Sequence, residues 1–172
     1  MPTPEAGEPT RTIFGEEWRA AKNRVRRLRQ NDRALLVPLL DVVESAWPRV
    51  RTLQVLHDQL RPYATGLFAH LLDFIDTHVC DLFRSVAVDV ARFVPPPPGA
   101  RAAAEPDFDS ANADAAQFGV FVAVLHAACC DPTVPASAAE VIRGATQPLL
   151  PWYEAVEPLL RRAADAVQGV PE

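Results

Sequence analysis

Seventeen prolines against seven glycines constrain this chain of 172 residues more than any other feature. Proline has no amide hydrogen and pushes its predecessor out of the helical region, so it sits in the first turn of a helix or just past its end. Between the prolines, apolar residues recur at intervals of three and four, the period of a helix, and no sustained alternation marks a strand. The sequence therefore reads as all-α: one domain of 18.8 kDa, a bundle of six or seven helices around a long central one. No internal repeat of about 33 to 47 residues is evident, which argues against a helical solenoid.

Residues 1–12 read as a flexible tail, 13–168 as the helical domain and 169–172 as a second tail. A first helix is expected from about Gly15 to Gln30, with Phe14, Trp18, Ala21, Val25 and Leu28 on one stripe. Asp32 suits the cap of the next helix, which Pro38 kinks or restarts, and Pro48 suits the first turn of another carrying Val50, Leu53, Leu56 and Leu60. The longest element is expected at about 63–94, where Phe68, Leu72, Ile75, Val79, Leu82, Val86, Val90 and Phe93 follow at three and four residues. A second row, Leu67, Leu71 and Phe74, widens the stripe, as a helix with neighbours on more than one side requires. Thirty residues at about 1.5 Å each make a rod on the order of 45 Å.

"PPPPGARAAAEP", residues 95–106, then breaks the chain as a stiff, extended linker. The alternative, a ligand for a proline-recognising module, requires a partner that the spacer reading does not. Beyond it Asp107, Asp109 and Ser110 are cap candidates for a helix to about Cys130, and Ser137 and Glu140 stand at capping-box spacing before a short helix to Thr146. Pro151 opens a last helix with Trp152, Val156, Leu159, Ala163 and Val167 inward, kinked near Val156 by Pro158 and stopped by Gly169.

Charge is unevenly spread. "RAAKNRVRRLRQNDR", residues 19–33, holds seven of the seventeen Lys and Arg residues. Projected on a helix, these cations surround the apolar stripe without forming one basic face, as expected of side chains whose stems pack and whose heads reach water. Residues 1–61 carry a net charge of +3 and residues 62–172 a net of −8, so the acidic half could dock on the basic helix or mediate self-association. Besides the purely structural reading, Phe14, Trp18, Arg19, Arg26, Arg27 and Arg29 form a candidate surface for a protein partner. The arginines alone would suit nucleic acid, and the amphipathic pattern a membrane surface. The overall net charge of −5 argues against a generic polyanion binder. Sixteen of the seventeen basic residues are Arg, a skew expected of a GC-rich genome.

Catalytic signatures are missing: no phosphate-binding glycine loop, no G-x-S-x-G and no H-E-x-x-H. His126, Cys129 and Cys130, at i, i+3 and i+4, are the best metal candidates, and Cys80 could complete a tetrahedral zinc site. The simpler reading makes these cysteines small buried hydrophobes. His70, Asp73, Thr77, Asp81 and Arg84 line a polar side of the long helix and read as a solvated face with local ion pairs, since no E-x-x-H accompanies them. No catalytic residue, metal or cofactor is assigned. The N-terminus lacks the pattern of a secretory signal, no apolar run reaches the length of a membrane span, and three cysteines fall short of a disulfide framework. An intracellular protein, cytoplasmic or nuclear and not secreted, is expected. The function expected is non-enzymatic: a helical regulatory or scaffold protein that binds another protein or a second copy of itself. A nucleic-acid-binding protein acting through the Arg-rich first helix is one alternative, and a zinc-binding protein or metal-dependent enzyme is another.

Overall fold

A computed structural model of the chain describes residues 16–96, 99 and 106–168; among these, the chain is helical and no strand forms. Phe14, the two expected tails and most of the proline-rich linker lie outside the described residues. The first helix, α1 (Glu16–Val25), stops five residues short of the expected end at Gln30. Arg27 N donates to Arg24 O at 3.0 Å and Leu28 N to Val25 O at 3.2 Å, closing a tight turn. Arg29 is then extended, and α2 (Gln30–Leu60) begins. The apolar residues on both sides explain the break. Trp18, Ala21 and Val25 are buried, and so are Leu36, Leu39 and Leu40 of α2. Only a reversal lets α1 pack back on α2 and α4 and bury both sets.

Two helices expected on either side of Pro48 are one, because α2 runs unbroken through Pro38 and Pro48. An interior proline costs a helix about 3 kcal/mol. Here Leu36, Leu39, Leu40, Val43, Ala46, Val50 and Leu53 keep one buried face in register across both prolines, and that burial outweighs the cost. Both prolines are exposed, where a carbonyl deprived of its helical donor can be hydrated. Asp32 is not the cap: it lies inside the first turn, and Arg29 occupies the N-cap position without a side-chain bond.

A 3₁₀ turn (Arg61–Tyr63) leads to Gly66, whose φ of +60° is the left-handed region that suits glycine. The expected rod thus starts at Gly66, three residues late, and is continuous through α3 (Gly66–Phe74), a π segment (Ile75–Cys80) and α4 (Asp81–Arg92). The π segment is equivalent to one inserted residue in the helical hydrogen-bond pattern. Leu72, Ile75, Val79, Val86, Val90 and Phe93 are buried as expected, but Leu82 is only half-buried and its neighbour Phe83 is fully buried in its place.

Three further helices follow: α5 (Phe108–Ala128), α6 (Ala136–Thr146) and α7 (Leu149–Gln168). Asp107 caps α5, its Oδ1 accepting from Ser110 N at 2.9 Å. Asp107→Ala is expected to lower stability by about 1 kcal/mol, measurable as a lower urea midpoint. Phe93 stacks on Phe108 with ring centroids 4.0 Å apart, joining the two ends of the linker. The capping box expected at Ser137 and Glu140 does not form. Pro135 takes the N-cap position without a side-chain bond, and Ser137 falls in the first turn. The last helix begins at Leu149, which is buried, rather than at Pro151, and continues through Pro158; Leu160 is deeper than Leu159.

The rod packs between α2 and α5, and α7 fits against both α2 and α5. At the centre Phe83 meets rings from three other helices: Trp47 of α2 at 6.3 Å, Phe118 of α5 at 5.7 Å and Trp152 of α7 at 5.6 Å. Trp152 also donates its Nε1 hydrogen to the Val42 carbonyl of α2. This aromatic hub joins α2, α4, α5 and α7.

Candidate functional site

The contacts of α5 with the rod lie along α4 and the π segment, and α3 is left less covered. Phe74 and Phe121 close the narrow end of the resulting wedge, edge to face at 5.4 Å, with His78 against both rings at 4.9 Å. Toward the start of α3 the wedge opens into a groove of about 270 Å³. Leu67, His70, Leu71 and Phe74 form one wall, Val124, Leu125 and Ala128 the other, and the loop at Asp131, Thr133 and Val134 the end. Leu67 is 61% exposed and Val124 50%, and Val120, one turn before Val124 on α5, is 60% exposed. Large apolar side chains here face water on two neighbouring helices.

The polar groups of the groove sit at its rim. Thr133 donates both its hydroxyl (2.6 Å) and its amide (2.8 Å) to Asp131 Oδ1, which holds that carboxyl below its usual range. The Asp131 charge therefore serves the turn that builds the end wall. The same loop also lines a second, open depression of about 580 Å³ and mixed polarity, with Cys130, Pro132 and Arg143.

The residues expected to contact a partner separate. Trp18 is 3% exposed and belongs to the core, so it cannot anchor another molecule. Arg19, Arg26, Arg27 and Arg29 are exposed, the last three on the α1–α2 turn and not on a helix. Nor does the acidic half neutralise them. Of this basic run, only Lys22 forms an ion pair among the described residues, and its partner at 2.7 Å is Glu44 of α2. The His70 to Arg84 face is a set of local pairs. Arg61 chelates Asp73 at 2.6 and 3.3 Å, and its hydrogen bond holds the Asp73 carboxyl low, while Arg84 reaches Asp81 at 3.4 Å.

The zinc set is not assembled: among the described residues no group of three or more His, Cys, Asp or Glu could hold a metal ion. Cys129 faces the core and Cys130 solvent, while Cys80 is buried with its Sγ 3.9 Å from the Val50 carbonyl. Burial, aided by the Asp76 and Asp81 carboxylates, pushes the Cys80 thiol up to about 12, and burial pushes Cys129 up to about 11. Neither is a nucleophile near neutral pH. A thiol reagent is expected to label Cys130 alone in the native protein and all three after denaturation, read by mass spectrometry. A thiol raised from its ordinary 9.0 stabilises the fold fully below pH 9 and loses that contribution as pH climbs toward 12. Cys80→Ala should flatten that alkaline decline.

Compared with known proteins, the chain matches no family model, no curated protein and no solved structure. No family is assigned. The groove went unread as a site in the sequence, although its signals were present. Leu67 and Leu71 belong to the second apolar row of the long helix, and "FGVFVAVLHAA" in α5 is apolar all round, more than one buried face requires. No helix among the described residues is long and apolar enough to cross a membrane.

Proposed function

We propose that this chain is a non-enzymatic binding protein that receives an apolar helical segment of another protein in the groove between α3 and α5. The observation that carries this reading is the pairing of exposed Leu67 and Val124 on facing walls above the deeper Leu71, Phe74, Leu125 and Val134. A partner helix docks in this way by presenting apolar residues at i, i+3 or i+4 and i+7. At about 270 Å³ the groove falls below the roughly 300–1,000 Å³ of typical small-molecule pockets, and its open form suits a few side chains on a larger surface. Apolar walls with a polar rim at His70, Asp131 and Thr133 match the layout of a protein interface. No described cluster of chemistry-bearing side chains supports a catalytic alternative.

Photo-crosslinking in the native host tests this, with the reactive group placed at Val124 and, as control, at Arg161 on α7. A discrete protein adduct from Val124, absent from Arg161 and lost on Leu67→Asp, is expected. Because Leu67 is mostly exposed, Leu67→Asp should alter stability by less than about 0.5 kcal/mol, checked by thermal melting. An adduct only with a second copy would turn the reading into self-association. Equal labelling from both positions would overturn the groove as the docking site.

A further inference from the structure

We propose that the α1–α2 turn is a second binding site, for the phosphate backbone of a nucleic-acid duplex, contacted by Arg19, Arg26, Arg27, Arg29 and Arg33. The five guanidiniums fall within fifteen residues, all exposed. The reversal at Val25 places Arg26, Arg27 and Arg29 on the turn itself. Arg33, from the first turn of α2, reaches back to the Arg26 carbonyl at 3.5 Å and joins the two sides of the patch. Among the described residues, none of the five pairs with an acid, including Glu16 and Asp32 nearby in sequence. A chain of net charge −5 thus holds, within fifteen residues, five arginines that form no ion pair among the described residues, beside the neutralised pair Lys22–Glu44.

The surroundings of the patch favour phosphate over an acidic polypeptide. Protein interfaces draw much of their affinity from apolar or aromatic anchors. Here Trp18 and Val25 are buried and Leu28 is half-buried, so the exposed side chains beside the arginines are the polar Asn23, Gln30 and Asn31 and the small Ala20 and Ala34, with no large apolar anchor among them. Charge and hydrogen bonding are what the turn offers, and the guanidinium fork bonds phosphate oxygens two at a time. A duplex is favoured over a single strand for the same reason, because strand binders stack bases on exposed aromatic rings and no described aromatic is exposed at this turn. Contacts of this kind position a protein on the backbone without reading sequence. No element lining the α3–α5 groove contributes to the turn, so the two sites are separable.

Fluorescence anisotropy of the full chain against a short labelled DNA or RNA duplex tests the proposal. Five phosphate contacts predict a slope of log affinity on log salt of about −4.5, a roughly several-hundred-fold loss between about 50 and 200 mM salt. Reversing three cations, R26E/R27E/R29E, should weaken binding at low salt by roughly 100-fold and cut the slope to about −2, leaving the circular dichroism melt unchanged because these side chains are exposed. Arg161→Glu on α7, where Arg161 pairs with Glu157 at 2.6 Å, should leave binding intact. Undetectable duplex binding at low salt, or binding that survives the triple reversal, overturns the site. Displacement of the duplex by polyglutamate at equal charge concentration overturns phosphate in favour of an acidic protein. Sedimentation with phosphatidylserine vesicles without duplex binding overturns it in favour of a membrane surface. Val124→Asp should leave duplex binding unchanged, which separates this site's failure from that of the groove.

Discussion

Truncating Phe83 to alanine is expected to lower stability by about 3–5 kcal/mol, read as a lower urea midpoint at an unchanged denaturant dependence. Phe83 is fully buried and meets Trp47, Phe118 and Trp152 from three other helices. Removing its ring opens a cavity bounded by α2, α5 and α7, and these helices cannot all close on it because they are also held elsewhere. Trp152, for one, is tied to the Val42 carbonyl. Domains of this kind have about 5–15 kcal/mol of stability in total, so the loss is a large share. Phe83→Leu, which nearly keeps the volume, should cost only about 1 kcal/mol. Leu82→Ala supplies the contrast. Leu82, the residue before Phe83, lies at the edge of the buried stripe and is only half-buried. Its truncation should cost less than that of Phe83. The reverse order would contradict the burial of Phe83 and the partial exposure of Leu82.

At the contact between α5 and α7, Gly119 marks a close approach. A Cβ there would lie 2.6–2.9 Å from three ring atoms of Tyr153. Two effects oppose each other when Gly119 becomes alanine. Helix propensity favours alanine by about 1 kcal/mol, whereas overpacking costs about 1–3 kcal/mol. The ring carbons concerned include Cγ, near the stiff root of the side chain, so Tyr153 must move as a whole and overpacking prevails. Gly119→Ala is expected to destabilise, and Gly119→Val further, by about 2–3 kcal/mol. In a double-mutant cycle with Tyr153→Ala, the cost of Gly119→Ala should fall by at least about 1 kcal/mol and reverse sign as propensity takes over. A stabilising Gly119→Ala in the presence of Tyr153 would contradict the close approach.

Proline marks helix boundaries at several positions, and the expectation fails at Pro48, which opens no helix of its own. Pro95 and Pro96 lie past the end of α4, and Pro135 directly precedes α6, as local sterics require. Pro38, Pro48 and Pro158 lie inside helices, because a proline on an exposed face forfeits one hydrogen bond while the buried face beneath it continues. The arginine run was misread for a related reason. Its spacing permits a helix to Gln30, yet α1 ends at Val25, and Arg26, Arg27 and Arg29 stand on a turn instead of around a helical stripe. Trp18 resembled a surface anchor because an amphipathic stripe looks the same in sequence whether its apolar side meets its own core or another molecule. The structure seats it in the core.

The sequence by itself determined that the chain is helical, roughly where the helices lie and which residues of α1, α2 and α7 face inward, since the three-to-four spacing and the chemistry of proline act locally. It also carried the composition of both proposed sites: the second apolar row at Leu67 and Leu71, the all-round apolar run in α5 and the arginines at 19–33. Tertiary structure alone decided which of these residues stay uncovered. Leu67 and Val124 remain exposed because α5 covers α4 and the π segment but leaves much of α3 bare, and among the described residues no acidic side chain of the second half pairs with the arginines of the turn. Exposure is a property of what lies opposite a residue in space, and spacing along one helix carries no record of its neighbour.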